Sequence, residues 1–118
     1  MIYQIRVAGV TAENRQKILK ALYNHPMLNS SALRFTLVPE PDNQYDPNAV
    51  AVYISEKYVV GYVPKGNILQ EKVKAGVKFD CSGVIVGGYD DKNYGIILNC
   101  KTDNDDEEME LKTIKRRK

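Results

Sequence analysis

The stretch from Leu37 to Lys65 reads LVPEPDNQYDPNAVAVYISEKYVVGYVPK, and its pattern decides the fold. Two apolar runs, Ala49–Ile54 and Tyr58–Val63, are separated by three polar residues, which predicts a β-hairpin. The strand before them is expected to break at two prolines, because proline donates no hydrogen bond to a sheet. Between that strand and the hairpin lies a polar loop, residues 42–48. Loops rich in Pro, Asp and Asn lie at the surface and often carry function.

The remaining elements follow from hydrophobic periodicity and turn residues on either side of this stretch. Strands are predicted over residues 2–9, Leu33–Val38, 77–86 and 94–101, and helices from an N-cap at Thr11 to about Asn24 and over residues 66–75. Gly76 is expected to end the second helix, and Gly83 indicates a β-bulge. Six strands with two short helices predict a mainly β domain, a small, strongly bent barrel over residues 1–101.

Length and composition point to a soluble single domain. The chain has 118 residues, 43% of them hydrophobic and 27% charged. No apolar run approaches the roughly 20 residues needed to cross a bilayer. Residues 1–6 lack the basic and apolar regions of a signal peptide, so we expect a cytoplasmic protein.

The cysteines indicate buried side chains rather than a metal site. Cys81 and Cys100 lie among apolar neighbours, and small buried thiols are the simplest interpretation. Together with the single His25 they are too few for a zinc site, which needs four ligands. We expect neither a metal nor a cofactor.

Charge is unevenly distributed along the chain. The net charge is +2, but six acids lie in residues 103–110 and five bases in residues 112–118. Without these, residues 1–101 hold 12 bases against 9 acids, a mildly basic body compatible with phosphate contacts. Residues 102–118 are predicted to form a solvated, partly disordered tail.

Tyr45 and Asp46 are the first candidate binding pair. An aromatic on a stiff loop can stack any base, and a carboxylate can accept a hydrogen bond from a sugar hydroxyl while repelling a phosphate. The alternative is local: Tyr45 packs on Pro47, and Asp46 caps an Asx-turn.

Tyr62 and Lys65 form the second candidate pair. Pro64 ends their strand, so both residues are expected at the rim of the barrel. Lys65 near the start of a helix is suited to bind phosphate, and Tyr62 would line the groove. The alternative for Lys65 is a solvated charge at a strand end.

The pattern E-P-x-N-x-Y-D-x-N-A-V-x-V, followed by V-G-Y-V-P-K, resembles the HIRAN domain. That module occurs in DNA-repair helicases and as small stand-alone bacterial and phage proteins. The resemblance covers roughly residues 2–101, with its specific motifs between Glu40 and Lys65. It implies a barrel related to the OB-fold, whose groove holds the 3′ end of single-stranded DNA. It also implies that Tyr45 stacks a base and that Asp46 meets the terminal hydroxyl.

Arg6 marks a departure from the family pattern. The resemblance implies an aromatic near this position of strand one for base stacking, and this chain has Arg6-Val7-Ala8-Gly9 instead. Because arginine can stack on a base or bind phosphate, Arg6 is retained as a fifth candidate nucleic-acid-binding residue.

We therefore expect a non-enzymatic module that binds single-stranded DNA, with a DNA-processing protein as a further candidate partner. One alternative is a protein-interaction module that uses the barrel rim; the other is a metal-dependent nuclease or accessory subunit. A calcium loop starting at Asp42 fails, because Pro47 and Tyr53 occupy the positions that require Gly and Glu. No phosphate-binding loop or helicase motif is present, so ATP-driven activity would belong to a partner.

Overall fold

The computed structural model describes residues 2–25 and 33–102 of the chain. The fold is mainly β, with the predicted six strands and two helices. In chain order they are β1 (Ile2–Arg6), α1 (Glu13–Tyr23), β2 (Leu33–Pro39), β3 (Val50–Ile54), β4 (Tyr58–Tyr62), α2 (Ile68–Lys74), β5 (Asp80–Gly87) and β6 (Tyr94–Lys101).

The six strands form one curled antiparallel sheet in the order β1-β6-β5-β2-β3-β4. Its two outermost strands meet just beyond the end of β1. There the Ala8 N–H donates to the Tyr62 carbonyl at 2.8 Å, and the Tyr62 N–H donates back to the Ala8 carbonyl at 2.8 Å. This bridge brings the ends of the sheet together and gives the small, strongly bent barrel that the pattern predicts, with the OB-like form that the family resemblance implies.

Gly61 permits this approach of the two ends. A Cβ at this position would lie 2.4 Å from Cγ1 of Val7 and 2.5 Å from the carbonyl oxygen of Ala8. Both distances are far inside van der Waals contact. A glycine is therefore required where the segment after β1 crosses β4.

The core lies inside the curl and contains buried residues of all six strands. Phe35 is buried there, and so are Cys81 and Cys100, as predicted. The two cysteines are free and lie directly opposite each other in β5 and β6. Their mutual hydrogen bond and burial raise the pKa of the Cys100 thiol.

The prediction of Thr11 as the N-cap of α1 is wrong. The N-cap is Ala12, which makes no side-chain capping hydrogen bond. The start of the helix is instead fixed by Gln16, whose side-chain amide donates to the carbonyls of Val10 at 2.6 Å and Tyr94 at 2.9 Å. A tertiary contact with β6 therefore replaces the local cap.

The predicted bulge at Gly83 is also wrong. β5 pairs with β6 without interruption through this residue, and the register shift lies between Val52 and Tyr53, in the pairing of β3 with β4. Gly83 serves close packing instead. A Cβ there would lie 2.7 Å from the Ile97 carbonyl oxygen and 3.1 Å from the Phe35 ring.

The second helix ends as predicted. Gly76 follows the C-cap with φ +93°, a conformation that favours glycine. Its N–H donates to the Val73 carbonyl at 3.0 Å, and the Val77 N–H donates to the Lys72 carbonyl at 3.0 Å, which forms a Schellman motif.

Within residues 2–25 and 33–102, neither helix is long and apolar enough to cross a membrane. Thr102, the first residue of the predicted tail, is buried at the end of β6. The rest of that tail, residues 103–118, lies outside the described residues.

Candidate functional site

An open groove of about 540 Å³ lies where the ends of the sheet meet. Its walls come from the segment after β1, from α1, from the loop between β2 and β3, and from the chain that leads from β4 into α2. Four of the five predicted binding residues line it: Tyr45, Asp46, Tyr62 and Lys65. The antiparallel pairing of β3 with β4 brings these two parts of the Leu37–Lys65 stretch together.

Asn43 sets the conformation of the loop between β2 and β3. Its side-chain oxygen accepts the backbone N–H groups of Tyr45 at 2.8 Å and Asp46 at 3.0 Å. Its amide nitrogen donates to Oε1 of Glu40 at 3.0 Å. Because Asn side chains stabilise turns through such bonds, the two candidate residues sit on a fixed backbone.

Tyr45 presents its side chain to solvent at the mouth of the groove. Its relative exposure is 88%, so packing on Pro47 covers little of it. A fixed backbone with a free aromatic ring loses little conformational freedom when a flat partner stacks on it.

Asp46 is held by neutral hydrogen-bond donors. Oδ1 accepts the Asn48 N–H at 2.9 Å, which is the Asx-turn expected as the alternative role, and Oδ2 accepts Nε2 of Gln70 at 3.0 Å. The Asn48 bond chiefly lowers the pKa of Asp46, and Gln70, Lys65 and Lys74 also lower it, while desolvation opposes them. The side chain is therefore ionised at neutral pH, and each oxygen retains capacity for a further donor.

Gln70 connects the two sides of the groove. It is a buried polar residue at 7% exposure, and its Oε1 accepts the Gly66 N–H at 2.9 Å while its Nε2 reaches Asp46. Since Gly66 follows Lys65 directly, one amide joins the Asp46 carboxylate to the backbone next to Lys65.

Tyr62 lines the groove together with Arg15, a residue of α1 that the sequence analysis did not propose as a binding residue. The Tyr62 hydroxyl donates to Oε1 of Glu40 at 3.1 Å, and burial, followed by Glu40, raises the pKa of this phenol. The guanidinium of Arg15 lies 5.4 Å from the centre of the Tyr62 ring, and Nη1 donates to the Gly9 carbonyl at 2.7 Å.

Lys65 and Arg6 occupy different environments. Lys65 is an exposed residue that lines the groove. Arg6 lies on the outer face of the sheet, opposite Ile97 in β6 and beside Gly95. Arg6 is therefore not among the residues that line the groove.

A second groove, of about 750 Å³, runs along α2 and shares Gln70 with the first. At its edge, Nζ of Lys74 donates to Oδ1 of Asn48 at 2.8 Å.

In the part of the chain that the structure describes, no three His, Cys, Asp or Glu side chains group closely enough to hold a metal ion.

Comparisons with known proteins find similarity to HIRAN domains. The HIRAN domain family model matches residues 29–103, more than half of the chain, a segment that begins after α1. A crystal structure of a protein from Lactobacillus plantarum is similar with a TM-score of 0.56 and 19% identity, over 82% of this chain and 89% of that one. The crystal structure of the HIRAN domain of human HLTF is similar with a TM-score of 0.50 and 19% identity, over 84% of this chain and 74% of that one. No curated protein matches the chain.

Proposed function

This chain belongs to the HIRAN domain family, and from that membership we propose that it is a non-catalytic module that binds single-stranded DNA. The observation that carries the proposal is the grouping of Tyr45, Asp46, Tyr62 and Lys65 in one groove. A stacking aromatic, an ionised hydrogen-bond acceptor and a cation are the groups that a base, a sugar hydroxyl and a phosphate require. ATP-driven steps of DNA repair or replication would be supplied by a partner protein.

Each groove residue has a distinct proposed role. Tyr45 stacks the base nearest the strand end, without regard to its identity. Lys65 binds a phosphate, and Tyr62 forms the wall along which the strand lies. Arg6, on the outer face of the sheet, would contact a phosphate further along the strand.

Asp46 is the proposed determinant of end recognition. Because it is ionised and held by neutral donors, it can accept a hydrogen bond from a terminal 3′-hydroxyl. A terminal phosphate at the same place would bring like charges together in a partly desolvated groove, which is unfavourable. The proposed ligand is therefore a strand that ends in a free hydroxyl.

The test is fluorescence anisotropy with 5′-labelled single strands that end in 3′-hydroxyl or 3′-phosphate. Wild-type protein should prefer the hydroxyl end, and Asp46→Asn should lose that preference because it keeps the shape and removes the charge. Asp80→Asn is the matched control, since it removes an exposed carboxylate that pairs with Arg34, away from the groove.

Each of the other outcomes would favour a different function. Equal binding of both ends with a steep salt dependence would indicate a general phosphate groove. No binding of either strand would favour a protein-interaction module that uses the rim. Metal-dependent degradation of the labelled strand would favour the nuclease alternative.

A further inference from the structure

We propose that Arg15 is a phosphate-binding residue of this groove and contacts one phosphodiester close to the strand end. The inference rests on the proposed function and deepens it. It assigns a ligand contact to α1, which precedes the segment that the family model matches. It also gives this chain a second groove cation besides Lys65.

The position of Arg15 is fixed before any ligand arrives. Nη1 is anchored on the Gly9 carbonyl at 2.7 Å, and the guanidinium is held over the Tyr62 ring at 5.4 Å. The ring is itself held by the hydrogen bond from its hydroxyl to Glu40. A guanidinium anchored at one nitrogen keeps its other N–H donors for a ligand and loses little side-chain entropy on binding.

The surroundings of Arg15 suit an anionic ligand. The two contacts just described are with a carbonyl oxygen and an aromatic ring, and neither neutralises its charge. Asp46, the carboxylate of the same groove, is held by Asn48 and Gln70. In this partly enclosed site the planar donors of Arg15 match the geometry of a phosphate.

The three charges of the groove together describe a strand end. Asp46 suits a terminal hydroxyl, while Arg15 and Lys65, which line the same groove, suit phosphodiesters of the strand that leads to it. A terminal nucleoside with a free hydroxyl, joined to phosphodiesters on one side, presents both kinds of group. A neutral sugar would leave both cations without a partner.

The decisive experiment combines a protein change with a change in the DNA. In a 12-nucleotide strand with a free 3′-hydroxyl, each of the last three phosphodiesters is replaced in turn by a neutral methylphosphonate. Binding of each strand to wild type and to Arg15→Met is measured by anisotropy. At one linkage the replacement should weaken the binding of wild type about tenfold. The same replacement should hardly weaken the binding of Arg15→Met any further, because that variant has already lost the contact.

Salt dependence gives a second readout. Arg15→Met should reduce the slope of log affinity against log salt by about 0.7, the value for one phosphate of a single strand. Arg15→Lys should keep most of the slope and lose part of the affinity, because it keeps the charge without the planar donors. Arg34→Met, which removes an exposed arginine outside the groove, should leave the slope unchanged.

The outcomes separate this inference from the proposed function. If wild type binds no single strand, the proposed function fails, and this inference fails with it. A second outcome is that wild type binds and the losses of binding free energy from Arg15→Met and from each methylphosphonate are additive. That result refutes the contact between Arg15 and a phosphodiester and leaves the proposed function standing. Thermal unfolding of each variant shows whether a loss of binding reflects a loss of fold, and Arg15→Lys provides the test if Arg15→Met unfolds.

Discussion

The side-chain amide of Gln70 donates a 3.0 Å hydrogen bond to Oδ2 of Asp46, across 24 positions of the chain. Its carbonyl oxygen accepts the Gly66 N–H at 2.9 Å. The loop between β2 and β3 and the turn before α2 are thus joined through one buried side chain. It holds the Asp46 carboxylate against the backbone next to Lys65.

Replacing Gln70 should therefore cost stability in a pH-dependent way. Gln70→Met removes both hydrogen bonds and should lower the free energy of unfolding by about 1–2 kcal/mol. Gln70→Glu places a second carboxylate against Asp46, so its loss of stability should be larger at pH 7 than at pH 4, where one proton can be shared between the two groups. Urea unfolding at both pH values measures the difference.

Gln44→Glu is the control for this prediction. It adds the same charge to an exposed position of the same loop and should change stability by less than about 0.5 kcal/mol at either pH. An equal loss for Gln70→Glu at pH 4 and pH 7 would contradict the proposed proximity of the two carboxylates.

Asp46 should contribute stability that disappears in acid. Its pKa in the folded protein is lowered from the ordinary value of 3.8, chiefly by the Asn48 N–H. A lowered pKa means that the stabilising effect is fully present above 3.8 and is lost as the pH falls through the folded-state pKa. Asp46→Asn should therefore melt below wild type at pH 7, and the gap should close below pH 3.8. A gap that persists unchanged at pH 2 would mean that the charge of Asp46 is not the source of the difference.

The hairpin and the barrel were predictable because their signals are local. Alternating apolar runs, two prolines and the glycine after α2 each act within a few residues. Tyr45, Asp46, Tyr62 and Lys65 were predictable as a set because they stand in one continuous stretch. That stretch also carries the family resemblance.

Arg15 and Gln70 were not predictable, since each acquires its role from a distant segment. Helical spacing indicates that Arg15 avoids the apolar face, but it does not say that α1 packs on β4. The two wrong predictions have the same origin. At the start of α1, the hydrogen bond from Gln16 to β6 replaces the cap expected at Thr11. At Gly83, the close approach of Phe35 and of the β6 backbone, rather than a bulge, explains why the residue is a glycine.

Gly61→Ala should open the barrel where its ends meet. The added Cβ would lie 2.4 Å from Val7 and 2.5 Å from the Ala8 carbonyl, so the segment after β1 has to move away from β4. The expected cost is about 1–3 kcal/mol in unfolding free energy. Faster hydrogen exchange at the Ala8 and Tyr62 amides should accompany it, because those two N–H groups form the bridge.

Gly95→Ala is the matched control for Gly61→Ala. Its Cβ would meet the far end of the flexible Arg6 side chain at 3.1 Å, which can move aside. Its effect on stability should be smaller, and it should leave exchange at Ala8 and Tyr62 unchanged. Equal costs for the two glycines would mean that the bridge does not depend on Gly61.

Tyr45→Ala should separate binding from folding. The side chain is 88% exposed, so its removal should change stability by less than about 0.5 kcal/mol. Loss of one stacked base should nevertheless weaken binding of single-stranded DNA by about 1–3 kcal/mol, equally for strands of dT, dA or dC, because stacking does not read base identity. Tyr45→Phe should retain binding, and Tyr89→Ala, which removes a ring that is 61% exposed outside the groove, should have no effect. A loss confined to one base sequence would indicate hydrogen-bonded readout by Tyr45 instead of stacking.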